Sequence, residues 1–398
     1  MSETSKRDLS VFIVAGEHSG DALGGKLMLA LNAMSPGPIR YTGVGGHTMG
    51  AAGLVSVFPL DEIAVMGATA IMRHLPTLVR RVYDAVDAAI DARPDVVVII
   101  DAPEFTHPIA RRIRKRAPAI PIIDYVSPSV WAWRPGRAAK MRGYVDHVLA
   151  LLPFEPSAHV RLGGPACSYV GHPLSERTAA IATLDSHALD TRLGLARDDA
   201  VLVVLPGSRR SEVDRLLPTF GATICDLHRG GRRFTVVLPV VPHLRARITS
   251  ATSAWPVPVH IIEDDTEKFI AFRRARAALA ASGTVTLELG LAGVPAVVGY
   301  RVDPIMAPLL RRMIKAPSTV LTNLILERNA VPEFHQEACV PVRLAAALTA
   351  LLDDTPTRAT QVAALAEVPG RLAVPGGSPS RTAAEIVLRY AQHGRAGQ

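Results

Sequence analysis

DVVVIID, residues 95–101, followed by Ala102-Pro103-Glu104-Phe105-Thr106, is the stretch on which the fold turns. Its apolar run is unbroken rather than alternating, which marks a strand buried on both faces, as in a parallel sheet covered by helices. Such sheets bind ligands beyond the carboxyl ends of their strands, so the carboxylate and the proline-bounded loop that follow are in a functional position. A carboxylate at that edge is partly desolvated, which raises its pKa and suits Asp101 to a general base, with Glu104 as its neighbour. A helix cap or a surface turn is the competing reading of the same residues.

Working outward, SVFIVA (residues 10–15) is a second apolar strand, followed by the glycine-containing loop 16–20. Asp21 stands at the expected N-cap of a helix over residues 22–33. RYTGV (40–44), PIIDYV (121–126) and HVLALL (147–152) continue the strands, and residues 72–92 carry apolar positions at helical spacing. A second strand-helix series starts at AVLVVLPGSR (200–209) and runs through FTVVLPV, VHII, AALAAS and PAVVGY. Two αβ halves of similar size imply an α/β protein of two Rossmann-like domains facing across a cleft. The expected boundaries are 1–174 for the first domain and 175–368 for the second. A Pro/Gly-rich linker and C-terminal helix take up 369–398.

The length of 398 residues agrees with two domains of roughly 100–200 residues each. The 48% hydrophobic content comes from Ala, Val, Leu and Ile, which excludes a disordered chain. Cys167, Cys225 and Cys339 lie far apart, so neither a CxxC redox pair nor a zinc knuckle is expected, and a reducing cytosol is the simplest home. No paired-histidine spacing is present, and no metal or other cofactor is expected. The N-terminus lacks the pattern of a signal peptide. Residues 277–300 hold one charge, Glu288, over the length of a membrane span, but Ser-Gly, Glu288 and Gly293-Val294-Pro295 punctuate them. A buried strand, a short helix and a second strand fit them better.

Five loops carry polar residues at strand ends. Gly16, His18 and Ser19 follow the first strand, where glycine lets a backbone approach a ligand. No GxGxxG fingerprint is present there or at Gly43-Val44-Gly45-Gly46. Asp101 and Glu104 form the second loop. Ser127, Trp131 and Trp133 lie in the third, suited to a sugar, an acyl chain or a lipid surface, with core packing of at least one tryptophan as the competing reading. Gly207-Ser208-Arg209 forms the fourth, with backbone N–H groups and a bidentate guanidinium for phosphate, and it is not a Walker loop. Ser282-Gly283-Thr284 forms the fifth, with Glu288 one turn into the next helix, where it needs ribose hydroxyls or an arginine as partner. The run Arg111, Arg112, Arg114, Lys115, Arg116 reads as a solvated face or as a surface for anionic headgroups. No nucleic-acid-binding pattern accompanies it.

Taken in order, VAGEHSGD (14–21), AVMG (64–67), DAPEF (101–105), YVSPSVWAWR (125–134), LLPFE (151–155), VGHP (170–173), LPGSRRSEV (205–213), ASGTVTLE (281–288), VVGYR (297–301) and LTNL (321–324) resemble the lipid-A-disaccharide synthases. The resemblance runs to about residue 340. It implies a GT-B-like fold and an inverting transfer from UDP-2,3-diacylglucosamine to 2,3-diacylglucosamine 1-phosphate (lipid X). The products are a β-1,6-linked disaccharide 1-phosphate and UDP. It implies peripheral attachment to an anionic membrane at the cytoplasmic face of the inner membrane of Gram-negative bacteria, and leaves a homodimer open. Asp101 matches the family's essential aspartate, the expected base, and Arg209 the arginine that meets the diphosphate. Ser208, Ser282, Gly283, Thr284, Glu288 and Asn323 match the nucleotide side. The family loop more often reads Asp-x-Pro-Asp-Phe-Asn, and Glu104 and Thr106 depart from it. The segment 64–72 (AVMGATAIM) is the candidate for acyl or membrane contact. The rival readings are a peptidoglycan transferase or 2-epimerase using UDP-GlcNAc, and a nucleotide-sugar-binding protein without turnover.

Overall fold

The structure, a computed structural model, describes residues 8–63, 68–304, 306–374 and 376–396. The chain divides into two compact units, Met1–Pro173 with Ala373–Gln398, and Leu174–Leu372.

In the first unit the strands are β1 (Leu9–Ala15), β2 (Ile39–Val44), β3 (Val55–Ser56), β4 (Val96–Ile100), β5 (Ile122–Tyr125), β6 (His147–Ala150) and β7 (Ala166–Tyr169). They form one sheet in the order β3-β2-β1-β4-β5-β6-β7, and every pairing is parallel. All five residues of β4 are fully buried, as the unbroken apolar run requires. At roughly 1.5–3 kcal/mol per buried aliphatic side chain, this strand anchors the unit. The helices that flank it include α1 (His18–Met34), α2 (His47–Ala51), α3 (Ala68–Ala92) and α4 (Pro103–Arg116). Val82, Val86 and Ala89 of α3 and Ile109 and Ile113 of α4 pack on one face of β4. Leu27 and Leu31 of α1 pack on the other.

The helix Pro379–His393 joins that second face: Ala383, Ala384, Val387 and Tyr390 are buried in the same core as α1. The Tyr390 hydroxyl and His147 Nδ1, 3.2 Å apart, tie it to β6. The last helix thus belongs to the sheet at the start of the chain, not to the strands that precede it.

The second unit repeats the plan with β8 (Val201–Leu205), β9 (Thr235–Pro239), β10 (Val259–Ile262), β11 (Ala277–Ala280), β12 (Ala296–Tyr300) and β13 (Glu333–His335). Their order is β10-β9-β8-β11-β12-β13, again all parallel. Residues 277–300 form β11, a helix at Val285–Leu291 and β12, as their punctuation implies. Among the described residues no helix is long and apolar enough to cross a membrane.

Both sheets reverse strand order at one point, between β1 and β4 in the first and between β8 and β11 in the second. Ligands of doubly wound sheets bind at such switch points. The loops that emerge there are 16–17, 101–102, 206–209 and 281–284, the stretches whose polar residues stood out in the sequence.

Candidate active site

Asp101 follows directly on β4, and its backbone breaks the strand sharply. Asp101 has φ 53° and Ala102 φ 43°, two successive non-glycine residues in the left-handed region. Each costs roughly 1–2 kcal/mol, a strain that persists only where neighbours enforce it. Here the Asp101 N–H donates to the Tyr125 carbonyl at 3.1 Å, and the Thr106 hydroxyl donates to the Asp101 carbonyl at 2.7 Å. The departure at position 106 thus has a structural role: the threonine clamps the turn through a backbone carbonyl. The same turn brings Ala102 against the loop after β1, where a Cβ on Gly16 would lie 2.3 Å from the Ala102 Cβ. Glycine at 16 is therefore required by a close approach.

The Asp101 carboxylate accepts the Ala102 N–H at 2.8 Å. Burial pushes its pKa up to about 6, and the neighbouring carboxylate of Glu17 adds to the rise against that N–H. Such a group is mostly ionised at neutral pH and is a stronger proton acceptor than an exposed aspartate. Sequence reasoning passed over Glu17, whose part is visible only once β1 and β4 are paired with Ala15 opposite Ile100.

Two expected roles change. Asp21 does not cap α1, which starts earlier, at His18. Its carboxylate accepts backbone N–H groups of Gly46, Thr48 and Met49 at 2.7, 2.9 and 3.1 Å, so it caps α2 across the sheet edge. Burial pushes its pKa up, but those N–H groups outweigh it and hold the carboxyl below its ordinary value. The basic run on α4 is not one solvated face either. Arg114 is buried, ion-paired to Asp146 and bonded to the Pro118 and Ile120 carbonyls, because the 3.6-residue period turns it inward.

The loop after β5 starts with Val126 at φ 87°. Ser127 is buried, its hydroxyl 2.8 Å from His159 Nε2. The Trp131 indole N–H donates to Glu155 Oε1 at 3.1 Å, and the ring meets Phe154 edge-on with centroids 5.0 Å apart. Glu155 also accepts the Leu152 N–H at 2.9 Å, and burial raises its pKa to about 7. Trp131 is thus half-buried and held in place, while Trp133 lies under the Arg134 guanidinium at 4.3 Å.

A cavity of about 440 Å³ lies at the switch point of the second unit. Ser208, Arg209, Ser282, Gly283, Thr284 and Glu288 all line it, so the structure brings these sequence candidates together. Gly207 has φ 113°, and a Cβ there would lie 2.7 Å from the Glu212 Cβ. Arg209 precedes the 20-residue helix Arg210–Arg229, whose N-terminus favours anions. Its guanidinium is mostly exposed and lies 3.3 Å from Glu212. Ser282 donates its hydroxyl to the Thr319 carbonyl at 2.8 Å. Within the protein Glu288 pairs with a lysine and not with an arginine: Lys268 Nζ lies 3.0 Å away, on an upstream helix. Lys268, which also pairs with Asp265 at 2.8 Å, puts a second cation on the cavity wall that no motif signalled.

Asn323 is not brought to this cavity. It is buried, and its side chain exchanges two 2.8 Å hydrogen bonds with the backbone of Val331. It braces the segment before β13.

In the first unit a larger cavity, about 760 Å³, opens between α3 and α4 beside the Asp101 turn. Ile63, Leu78, Val79, Val82 and Phe105 give it an apolar wall, and Gly16, Glu17, His18, Ser19, Ala102 and Glu104 line its polar end. His18 is exposed and lies 3.4 Å from Asp61. Glu104 pairs with Arg137 at 2.9 Å, which outweighs its burial and holds its pKa below the ordinary value. Glu104 is thus tied up as a carboxylate, and Asp101 is the group with raised basicity. Of the segment 64–72, the sequence candidate for acyl or membrane contact, residues 64–67 lie outside the described residues and 68–72 open α3.

The lipid-A-disaccharide synthetase family model matches residues 11–370. A lipid-A-disaccharide synthase of Nitrobacter winogradskyi is 50% identical over 386 residues, covering 97% of this chain and 96% of that one. Its counterpart in Bradyrhizobium diazoefficiens is 47% identical over 385 residues, 97% of each chain. Among solved structures, UDP-GlcNAc 2-epimerase from Neisseria meningitidis superposes with a TM-score of 0.64 at 14% identity, covering 96% of this chain and 100% of that one. Acinetobacter baumannii MurG gives 0.58 at 14% identity, covering 96% and 99%. At that identity the two structures speak to the fold alone, a pair of Rossmann-like sheets of the GT-B kind.

Proposed function

Because the chain belongs to the lipid-A-disaccharide synthetase family, we propose how its own residues carry out lipid A disaccharide formation. The protein is a UDP-sugar-dependent glycosyltransferase of lipid A biosynthesis. The donor in this reading is UDP-2,3-diacylglucosamine and the acceptor 2,3-diacylglucosamine 1-phosphate. The observation that carries the assignment is a half-buried carboxylate of raised pKa, Asp101, on a strained turn beside a large apolar cavity. That combination suits a sugar hydroxyl on a molecule that also carries acyl chains.

Asp101 accepts the proton of the acceptor's 6-hydroxyl as that oxygen bonds to the anomeric carbon of the donor. The bond from that carbon to the diphosphate breaks, and its electron pair leaves with UDP. One displacement from the opposite face inverts the anomeric centre and gives a β-1,6 linkage. The second unit meets the charge growing on the diphosphate with Arg209 and the N–H groups at the start of the helix Arg210–Arg229. Ser208, Gly283 and Thr284 add donors from the cavity wall, and Glu288 with Lys268 is placed for the nucleotide's sugar and phosphate.

The protein sits, in this proposal, on the cytoplasmic face of the inner membrane and takes both lipids from the bilayer. Leu75, Val79 and Tyr83 support it: each is close to half exposed, and they recur every fourth residue, one stripe along α3.

The test is direct. Purified protein incubated with the two acylated substrates yields the tetraacyl disaccharide and UDP by mass spectrometry, and UDP-GlcNAc with an unacylated acceptor yields little. Equal rates with and without acyl chains would remove the role given to the apolar cavity.

A further inference from the structure

The cations of α4 sort themselves by partner. Arg114 is bound to Asp146, and Arg116 to Asp87. Arg111, Arg112 and Lys115 make no ion pair among the described residues, and all three line a hollow of about 490 Å³ together with Tyr83 and Tyr144. No carboxylate lines it.

Two of these cations are already oriented. Arg111 lies over the Tyr144 ring at 4.7 Å and donates to its hydroxyl at 3.2 Å. That hydroxyl is 2.9 Å from His107 Nδ1, whose Nε2 lies 3.1 Å from the buried Asp124. Arg112 lies over the Tyr83 ring at 4.9 Å and donates to the Pro108 carbonyl at 3.0 Å. Stacking occupies the guanidinium faces and leaves most edge N–H donors unspent, the presentation that phosphate oxygens require. Three unpaired cations in one hollow repel one another, and a bound anion relieves that cost.

We propose that this hollow is a binding site for the phosphate of an anionic glycerophospholipid in the bilayer, separate from the reacting acceptor. The proposal rests on the peripheral-membrane reading above and gives it a specific contact. Arg112 walls both the hollow and the apolar cavity, and the stripe Leu75, Val79, Tyr83 runs from one to the other. A lipid seated there presents its headgroup to the arginines and its chains to the stripe. Arg111 and Lys115 stand eight and twelve residues along α4 from Pro103, about 12 and 18 Å at 1.5 Å per residue, which sets the hollow apart from the Asp101 end.

Flotation of the full-length protein tests this with two kinds of vesicle, phosphatidylcholine alone and equal parts phosphatidylcholine and phosphatidylglycerol. Wild type is expected to float with the mixed vesicles and far less with the neutral ones. The double variant Arg112→Ser/Lys115→Ser should bind mixed vesicles roughly 30-fold more weakly, at about fivefold per removed cation. The pair Arg161→Ser/Arg389→Ser removes the same charge from exposed positions elsewhere in the unit and should change little. Melting curves of all three confirm folding. Equal losses in both double variants would reduce the site to diffuse attraction and overturn it. Wild type floating equally with both vesicles would overturn the site while leaving the membrane reading, and floating with neither would end both. Tight saturable binding of inorganic phosphate, with vesicle binding indifferent to Arg112 and Lys115, would replace the lipid by the free ion.

Discussion

Glu17→Gln removes one charge from beside Asp101 while keeping the size of the side chain, and its effect on the pH profile follows from the geometry. Asp101 rises from 3.8 to about 6, with burial the largest cause and Glu17 secondary. A like charge a few ångströms from a carboxylate is worth about one pKa unit, or about 1.4 kcal/mol. The base works only as the carboxylate, so kcat/KM climbs with pH through the pKa of Asp101 and levels above it. In the variant the repulsion is gone, the ionised form is easier to reach, and the midpoint falls from near 6 toward 5. At pH 5 about one wild-type molecule in eleven carries the ionised base, against about one in two of the variant, so the variant's rate relative to its own plateau is roughly fivefold higher. The plateau drops modestly, because a weaker base accepts a proton less readily. The assay is kcat/KM for UDP release between pH 4.5 and 8. A midpoint that stays at 6 or moves upward would refute the coupling of Glu17 to the base.

Three further changes probe separate parts of the account. Gly16→Ala forces a methyl to within 2.3 Å of the Ala102 Cβ; displacing the catalytic turn should cost roughly 10²-fold in kcat, while UDP affinity by calorimetry holds. Arg209→Ala should weaken UDP binding by roughly ten- to 100-fold, the worth of one or two charge-assisted hydrogen bonds, and unchanged affinity would remove Arg209 from the diphosphate site. Asp21→Ala strips three backbone N–H groups of their acceptor and should destabilise the first unit by about 2–3 kcal/mol, read as a lower melting temperature. The ionised form of Asp21 is the stabilising one, so the wild-type advantage is full above pH 3.8 and fades as pH falls through its lowered folded-state pKa.

What the sequence made legible was whatever depends on local pattern. The unbroken run of β4, its twin in β8 and the strand-helix-strand of residues 277–300 all form where their periodicity puts them. The loops at the two switch points could be named because a strand end locates a ligand site without further knowledge. Long-range partners were not legible. Asp21 has the spacing of a local cap, yet its N–H donors come from 25 to 28 residues away. Arg114 sits within a run of like charges and still turns inward to Asp146. Glu288, in apolar surroundings, needs a partner, and the one the protein itself supplies is a lysine on another helix. Asn323 carries a family motif and spends its amide on backbone, which spacing does not reveal. Glu17 stood in view inside its loop, and only strand pairing put its charge beside the base.

The account rests most heavily on Asp101. The measurement that reaches it directly compares wild type with Asp101→Asn in disaccharide formation from the two acylated substrates, with UDP affinity measured on the same preparations. Turnover should fall by at least roughly 10²–10⁴-fold, the loss of general-base catalysis, with UDP binding nearly unchanged because the proposed diphosphate site is built from residues of the other unit. A near-normal rate in Asp101→Asn would contradict the assignment and move the base elsewhere on the same loops, to Glu17, His18 or Glu104.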